Sequence, residues 1–203
     1  ISILLTFLFL HCMVHPISAN TAILNDKGSQ AILEAAEWIQ LTYDGFESGW
    51  GNFTDGGADA YIANYSYAGE KAAVIQDNTD SSMITLWVPI DVTDYTQIEI
   101  DFWFQAYSFE TGENWFVEYF DGSAWRVIRE YTYPEDFGNL VWYNQRLIVD
   151  SQSYTFPTNM RVRFRCDAGD NVDDIDLDEI FIRARSTIST GNHAPLAVYD
   201  DYS

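Results

Sequence analysis

Potential ligand oxygens are concentrated in two acidic segments, YDGFESGWGNFTDGGADA from Tyr43 to Ala60 and DDIDLDEIFI from Asp173 to Ile182. Carboxylates beside glycine-rich turns suit a hard divalent cation, since calcium takes roughly six to eight oxygens from side chains and carbonyls and tolerates irregular geometry. Read from residue type alone, the same acids are turn formers and solvated strand residues before they are ligands. TQIEIDFWFQ, from Thr96 to Gln105, offers a second chemistry. There Ile98, Ile100, Phe102 and Phe104 alternate with Glu99, Asp101, Trp103 and Gln105, which sends Trp103 away from the apolar face. A ring flanked by Asp101 and Gln105 can stack on a sugar while its neighbours bond the hydroxyls. A loop or strand covering Trp103 accounts for the ring equally well. In MRVRFRC, Met160, Val162, Phe164 and Cys166 share one face and leave Arg161, Arg163 and Arg165 on the other. These arginines either pair across strands with acids such as Glu99 and Asp101, or lie beside Trp103 and receive sulfate or uronate groups, with Arg163 as the candidate.

Catalytic chemistry finds little support in the residue types. The three histidines, His11, His15 and His193, lie at the ends of the chain, so its middle has none for a serine or cysteine triad or a zinc site. Asp101 with Glu118 could form a glycosidase-like carboxylate pair, but such pairs arise by chance in so acidic a chain. GWGNFTDGG lacks the lysine and following helix of a phosphate-binding loop. With 31 Asp and Glu against 10 Lys and Arg the formal charge is -21, which repels nucleic acid and anionic lipid.

The positioning elements read as strands. From Trp38 to about residue 185, short alternating runs are separated by Gly, Asp, Asn, Ser and Thr clusters. Nine are predicted: WIQLTY, AAVIQ, MITLWV, TQIEIDFWF, NWFVEYF, AWRVIREY, LVWYNQRLIV, MRVRFRC and IDLDEIFI, with DGSA turning the fifth into the sixth. That density predicts an all-β fold, an antiparallel jelly-roll β-sandwich over residues 38–186. Residues 1–19, apolar and ending in small residues, read as a secretory signal whose start is missing. Residues 20–37 read as a linker with a helix-compatible stretch, SQAILEAAEW. Cys166 is then the one cysteine of the mature module and packs as a small hydrophobe. Residues 187–203 read as a Ser/Thr/Gly linker and the start of a further domain.

The Phe-Glu of DGFESGW and the later Leu-Asp-Glu-Ile resemble the two ends of MAM domains and related calcium-binding jelly-roll modules, and the span from Asp44 to Ile182 resembles accessory modules of secreted marine bacterial proteins. NHAPLAVYDDYS, Asn192 to Ser203, resembles the opening of a cadherin-like or immunoglobulin-like tandem repeat. The MAM-like resemblance implies that the first and last strands meet, bringing Glu47 near Asp178 with the GGADA loop alongside. It implies structural Ca2+ held by Glu47, Asp59 and Asp178, with Asp44, Asp55 and Asp176 as weaker ligands. The disulfides of vertebrate MAM domains are absent, which removes support for their adhesive role. The expected function is a non-catalytic, secreted binding module for an extracellular polysaccharide or cell-surface glycan. The glycan contacts would be Trp103, Asp101, Gln105 and Arg163, and a structural or adhesive spacer without a glycan ligand is the alternative.

Overall fold

A computed structural model describes residues 37–56, 59–76 and 82–186, together with β1 (Ile23–Leu24) and β2 (Gln30–Ala31). The segments read as a signal sequence and as a cadherin-like opening, and most of the helix-compatible stretch, lie outside the described residues; within that stretch Gln30–Ala31 is strand. The chain forms two compact units, Ile1–Ala35 with Ile188–Ser203, and Ala36–Thr187. The described part of the first is the antiparallel β1–β2 pair.

The second unit carries β3 (Ile39–Asp44), β4 (Phe53–Asp55), β5 (Ala60–Ala63), β6 (Ala72–Gln76), β7 (Met83–Leu86), β8 (Gln97–Tyr107), β9 (Asn114–Phe120), β10 (Trp125–Thr132), β11 (Tyr143–Asp150), β12 (Arg161–Asp167) and β13 (Asp174–Arg185). They form two antiparallel sheets, ordered β10-β9-β12-β7-β4 and β11-β8-β13-β6-β5, with β3 pairing β13. From β8 onward the chain crosses between the sheets repeatedly, the winding of a jelly roll. Among the described residues there is no helix. All nine predicted strands are present. The additions β4 and β5 come from the Asp- and Gly-rich segment, where three or four residues are too few to show alternation.

Alternation decides the core. Ile98, Ile100, Phe102, Phe104 and Ala106 of β8 are buried, as are Val162, Phe164 and Cys166 of β12. Phe102 and Phe164 meet between the sheets with ring centroids 5.0 Å apart, and Trp115 stacks on Tyr131 at 4.3 Å. Burying one such side chain stabilises by about 1.5–3 kcal/mol, so this aromatic layer carries the sandwich without a disulfide. The β9–β10 hairpin is fixed by Asp121, whose Oδ1 accepts the N–H groups of Ser123 (2.9 Å) and Ala124 (2.8 Å).

Strand β13 has a divided edge. Its first part, Asp174 to Leu177, pairs with β6, and its later part, Ile180 to Ala184, pairs with β3. On its other side the register with β8 shifts between Asp178 and Phe181, and Glu179 has φ 51°. This bulge is where the strand changes neighbours, and a bulge re-aims side chains. Two expectations are corrected by the topology. Arg163 lies on β12 in the five-stranded sheet and Trp103 on β8 in the other, so they occupy outer faces of opposite sheets and cannot share a ligand. Alternation indicates which face a side chain takes and not which sheet its strand joins. Asp59 is likewise separated from Glu47: it precedes β5, which runs antiparallel to β6, and its carbonyl accepts the N–H of Gln76 at the far end of β6. At about 3.3 Å per residue, β6 holds the two acids roughly 13 Å apart along the strand.

Candidate functional site

The outer face of the six-stranded sheet bears the side chains that alternate with the core. Across it, Gln105 pairs with Asp176, Trp103 with Asp178, and Asp101 with Phe181. Asn144 of β11 lies opposite Trp103 and Arg146 opposite Asp101. The face divides into two regions of different chemistry.

The first is a closed charge network. Buried Glu99 takes Arg183 at 2.6 Å and Arg146 at 3.3 Å. Asp101 takes Arg183 at 3.0 Å, Arg146 at 3.4 Å and the Asn144 amide at 2.9 Å. Burial alone would raise the Asp101 pKa, but the hydrogen bonds from Asn144 and Arg183 and the two guanidinium charges hold it below the usual carboxylate range. The acids expected to meet the β12 arginines are therefore met by Arg146 and Arg183. Arg163 pairs with Glu118 at 2.5 Å and lies over the Trp125 ring at 4.3 Å, while Arg165 pairs with Asp167 at 2.9 Å. Asp101 and Glu118, the carboxylate pair considered for hydrolysis, face away from each other on opposite sheets.

The second region is aromatic and open. Tyr65, Gln105, Tyr107, Leu140, Asp174 and Asp176 line a cleft of about 350 Å³. Beside it Tyr67 stacks on Trp103 with centroids 3.6 Å apart and planes 11° apart, and meets Trp142 edge-on at 5.9 Å. Tyr61, Tyr65, Tyr67, Tyr107 and Leu140 are each more than 40% exposed, an apolar concentration on an otherwise acidic molecule. Tyr65 donates to Asp176 Oδ1 at 2.6 Å. Burial pushes the Asp176 pKa up to about 7, although the Tyr65 hydrogen bond acts the other way. Trp103 is thus half-buried, with Tyr67 over one ring face, and Gln105 lines the cleft as the outward alternation requires.

Glu47 and Asp178 position the aromatic loop. Asp178, fully buried at the bulge, accepts the Tyr67 and Ala68 N–H groups on Oδ2 at 3.0 and 2.9 Å, and the Glu179 N–H on Oδ1 at 2.8 Å. Glu47 Oε1 accepts the N–H groups of Glu70 and Lys71 at 2.9 and 3.1 Å, which lowers its pKa. Both acids thus hold the segment 67–71 by its backbone, and Lys71 Nζ donates to the Glu47 carbonyl at 3.0 Å. Gly69, φ 72°, lies so close that an added Cβ would stand 2.2 Å from Glu47 Oε1. As a set, Glu47, Asp59 and Asp178 do not fit one ion, because Asp59 is at the other end of β6, where Ser82 Oγ donates to it at 3.2 Å. Asp44 is engaged in the 46–52 turn, accepting the N–H groups of Phe46 (3.3 Å) and Asn52 (2.5 Å). Tyr65, Tyr67, Tyr107, Leu140 and Trp142 escaped the sequence reading; the signal available was the tyrosine spacing in YIANYSYAGE.

No family model and no curated protein match the sequence. Solved structures resemble the fold. The CBM22-1 xylan-binding domain of Paenibacillus barcinonensis Xyn10C matches with a TM-score of 0.56 at 15% identity, covering 76% of this chain and 100% of that one. The xylan-binding domain from CBM 22, formally x6b, gives 0.51 at 15% identity, over 74% and 97%. The CBM22-1-GH10 modules of Clostridium thermocellum Xyn10B complexed with xylohexaose give 0.51 at 15% identity, over 74% of this chain and 29% of that one. At such identity the likeness is one of fold, an antiparallel β-sandwich.

Proposed function

We propose that the module is a non-catalytic, extracellular polysaccharide-binding unit, and that the polysaccharide lies in the cleft between Tyr65, Tyr107 and Leu140 and along the Tyr67–Trp103–Trp142 cluster. The observation that carries this reading is the combination of exposed rings with Gln105 and Asp174 in one groove, over the buried Asp176 that holds the Tyr65 hydroxyl. Rings supply stacking area, and amide and carboxylate groups select hydroxyl positions, the composition sugar sites need. The fold's likeness to xylan-binding modules supports the reading. Asp101 contributes by holding Asn144 and the two arginines at the edge of the groove, and Trp103 by backing Tyr67.

Affinity electrophoresis or calorimetry against a panel of soluble polysaccharides tests this. Tyr107→Ala and Trp142→Ala should each weaken retention about 5- to 10-fold, since a sugar-stacking ring adds roughly 1 kcal/mol or more. Arg163→Ala, on the other sheet, should leave binding unchanged. Absence of binding across the panel would favour the spacer alternative.

Structural calcium at the Glu47 and Asp178 end belongs to the same reading, drawing on Glu47 Oε2 and the remaining lone pair of Asp178 Oδ1. There it would reinforce the hold on the aromatic loop. A thermal midpoint that drops on chelation, with the drop reduced in Asp178→Ala, is the expected outcome.

A further inference from the structure

At the end of the sandwich where β8 runs into β9 and β12 into β13, three carboxylates converge. One oxygen each from Glu110, Glu113 and Asp173 lies within 4.8 Å of the other two, the one such group of three among the described residues. Asp173 is fully buried. Its Oδ2 accepts the Gly169 and Asp170 N–H groups at 3.2 and 2.7 Å, but its Oδ1, also out of water, reaches no donor. Among the described residues the carboxylate oxygens in that condition are Asp173 Oδ1 and the Oδ1 of its half-buried neighbour Asp174, and of the two residues Asp173 is the fully buried one. A buried anionic oxygen without a partner costs more than a neutral one, so the position calls for a positive charge.

No arginine or lysine supplies it: the ion pairs among the described residues reach none of the three acids. Glu113 Oε2 accepts the Glu110 N–H at 2.7 Å, while Glu113 Oε1 lies where a Cβ on Gly169 would approach to 2.4 Å. Gly169 thereby lets Glu113 reach the β12–β13 loop from the β8–β9 loop. Burial raises the Asp173 pKa, with the Glu113 charge adding to it, and contact with Glu113 raises that of Glu110.

We propose that Glu110, Glu113 and Asp173 together bind one hard divalent cation of the calcium class, which ties the β8–β9 loop to the β12–β13 loop. The donors are all oxygen, which favours calcium over zinc or copper, whose protein sites draw on nitrogen and sulfur. Tyr107 and Asp174, both lining the cleft, stand next to these loops, at the end of β8 and the start of β13. The ion would fix that rim of the cleft. This site is separate from Glu47 and Asp178 and does not depend on what the cleft binds.

The test is calcium chloride titrated into the metal-stripped chain, read by calorimetry and by thermal midpoint, for wild type, Glu110→Gln, Glu113→Gln and Glu47→Gln. Glu110 is exposed, so Glu110→Gln keeps the fold even if Glu113→Gln does not. Removing one of three anionic ligands should weaken calcium binding about ten-fold or more. In chelator, Glu110→Gln should melt at or above wild type, because a repelling charge is gone, and in calcium below it. Glu47→Gln should keep this ion. A wild type that takes up no calcium, or Glu110→Gln and Glu113→Gln variants that bind it as wild type does, would overturn the proposal.

Discussion

Asp176 shows how much a single alternating position can decide. Its neighbours Ile175 and Leu177 enter the core, so its carboxyl emerges on the outer face, where Tyr65 covers it and water is excluded. The ordinary value near 3.8 rises to about 7 in the folded chain. Between those two values the native state binds more protons than the unfolded state, so stability falls as pH climbs from about 4 to about 7. Below that window the group is neutral in both states; above it the native state carries the full cost of a buried charge. Asp176→Asn keeps an oxygen for the Tyr65 hydroxyl and removes the titration. At about 1.4 kcal/mol per pKa unit, the variant should exceed wild type by up to a few kcal/mol at pH 8 and by less than half as much at pH 5, the two converging only below about pH 4. Asp178, raised to about 6 mainly by burial, slopes the same way but cancels between wild type and variant. Urea or thermal melts at the two pH values are the check, and an equal difference at both would mean that Asp176 is solvated.

The loop between β5 and β6 is the element on which the cleft depends, because it carries Tyr65 and Tyr67 and has no strand partner of its own. Asp178 and Glu47 hold its backbone from two sides, and Gly69 allows the approach. Gly69→Ala meets both a left-handed φ and the Glu47 carboxylate, so it should lower stability by about 1–2 kcal/mol. It should also displace Tyr67 from Trp103, read as a loss of near-ultraviolet circular dichroism. Little of this was legible in the sequence. Period-two patterns in β8 and β12 gave away their core faces, since side-chain direction in a strand is local. The hold on the loop spans 110 and 111 positions, and the β13 bulge that aims Asp178 leaves no mark on the hydrophobic pattern. The acidic ends of the module were visible as a pair, and Glu47 and Asp178 do converge on one loop. That Asp59 belongs elsewhere followed only from β5, four residues long.

For the molecule as a whole, the distribution of its few cations bears on which class of glycan the proposed site would hold. Against a formal charge of -21, the described arginines are largely committed: Arg126 to Asp121, Arg129 to Asp136, Arg146 and Arg183 to Glu99 and Asp101, Arg163 to Glu118, and Arg165 to Asp167. The cleft adds two carboxylates and no cation. An incoming uronate or sulfate group therefore meets like charge at the site and a repelling field around it, whereas a neutral chain needs only stacking and hydroxyl contacts. Neutral polysaccharides should bind more tightly than uronate-rich or sulfated ones of similar backbone. The salt response separates this from a basic site. Screening shortens the reach of the field to about 10 Å at 0.1 M ionic strength, so affinity for an anionic glycan should rise with added sodium chloride while that for a neutral glycan stays flat. Calorimetry at low and moderate salt, with chelator present to exclude calcium bridging between carboxylates, measures it. Anionic binding that weakens as salt is added would point instead to a cationic surface, with Arg161 and its neighbours on the opposite sheet as the place to look.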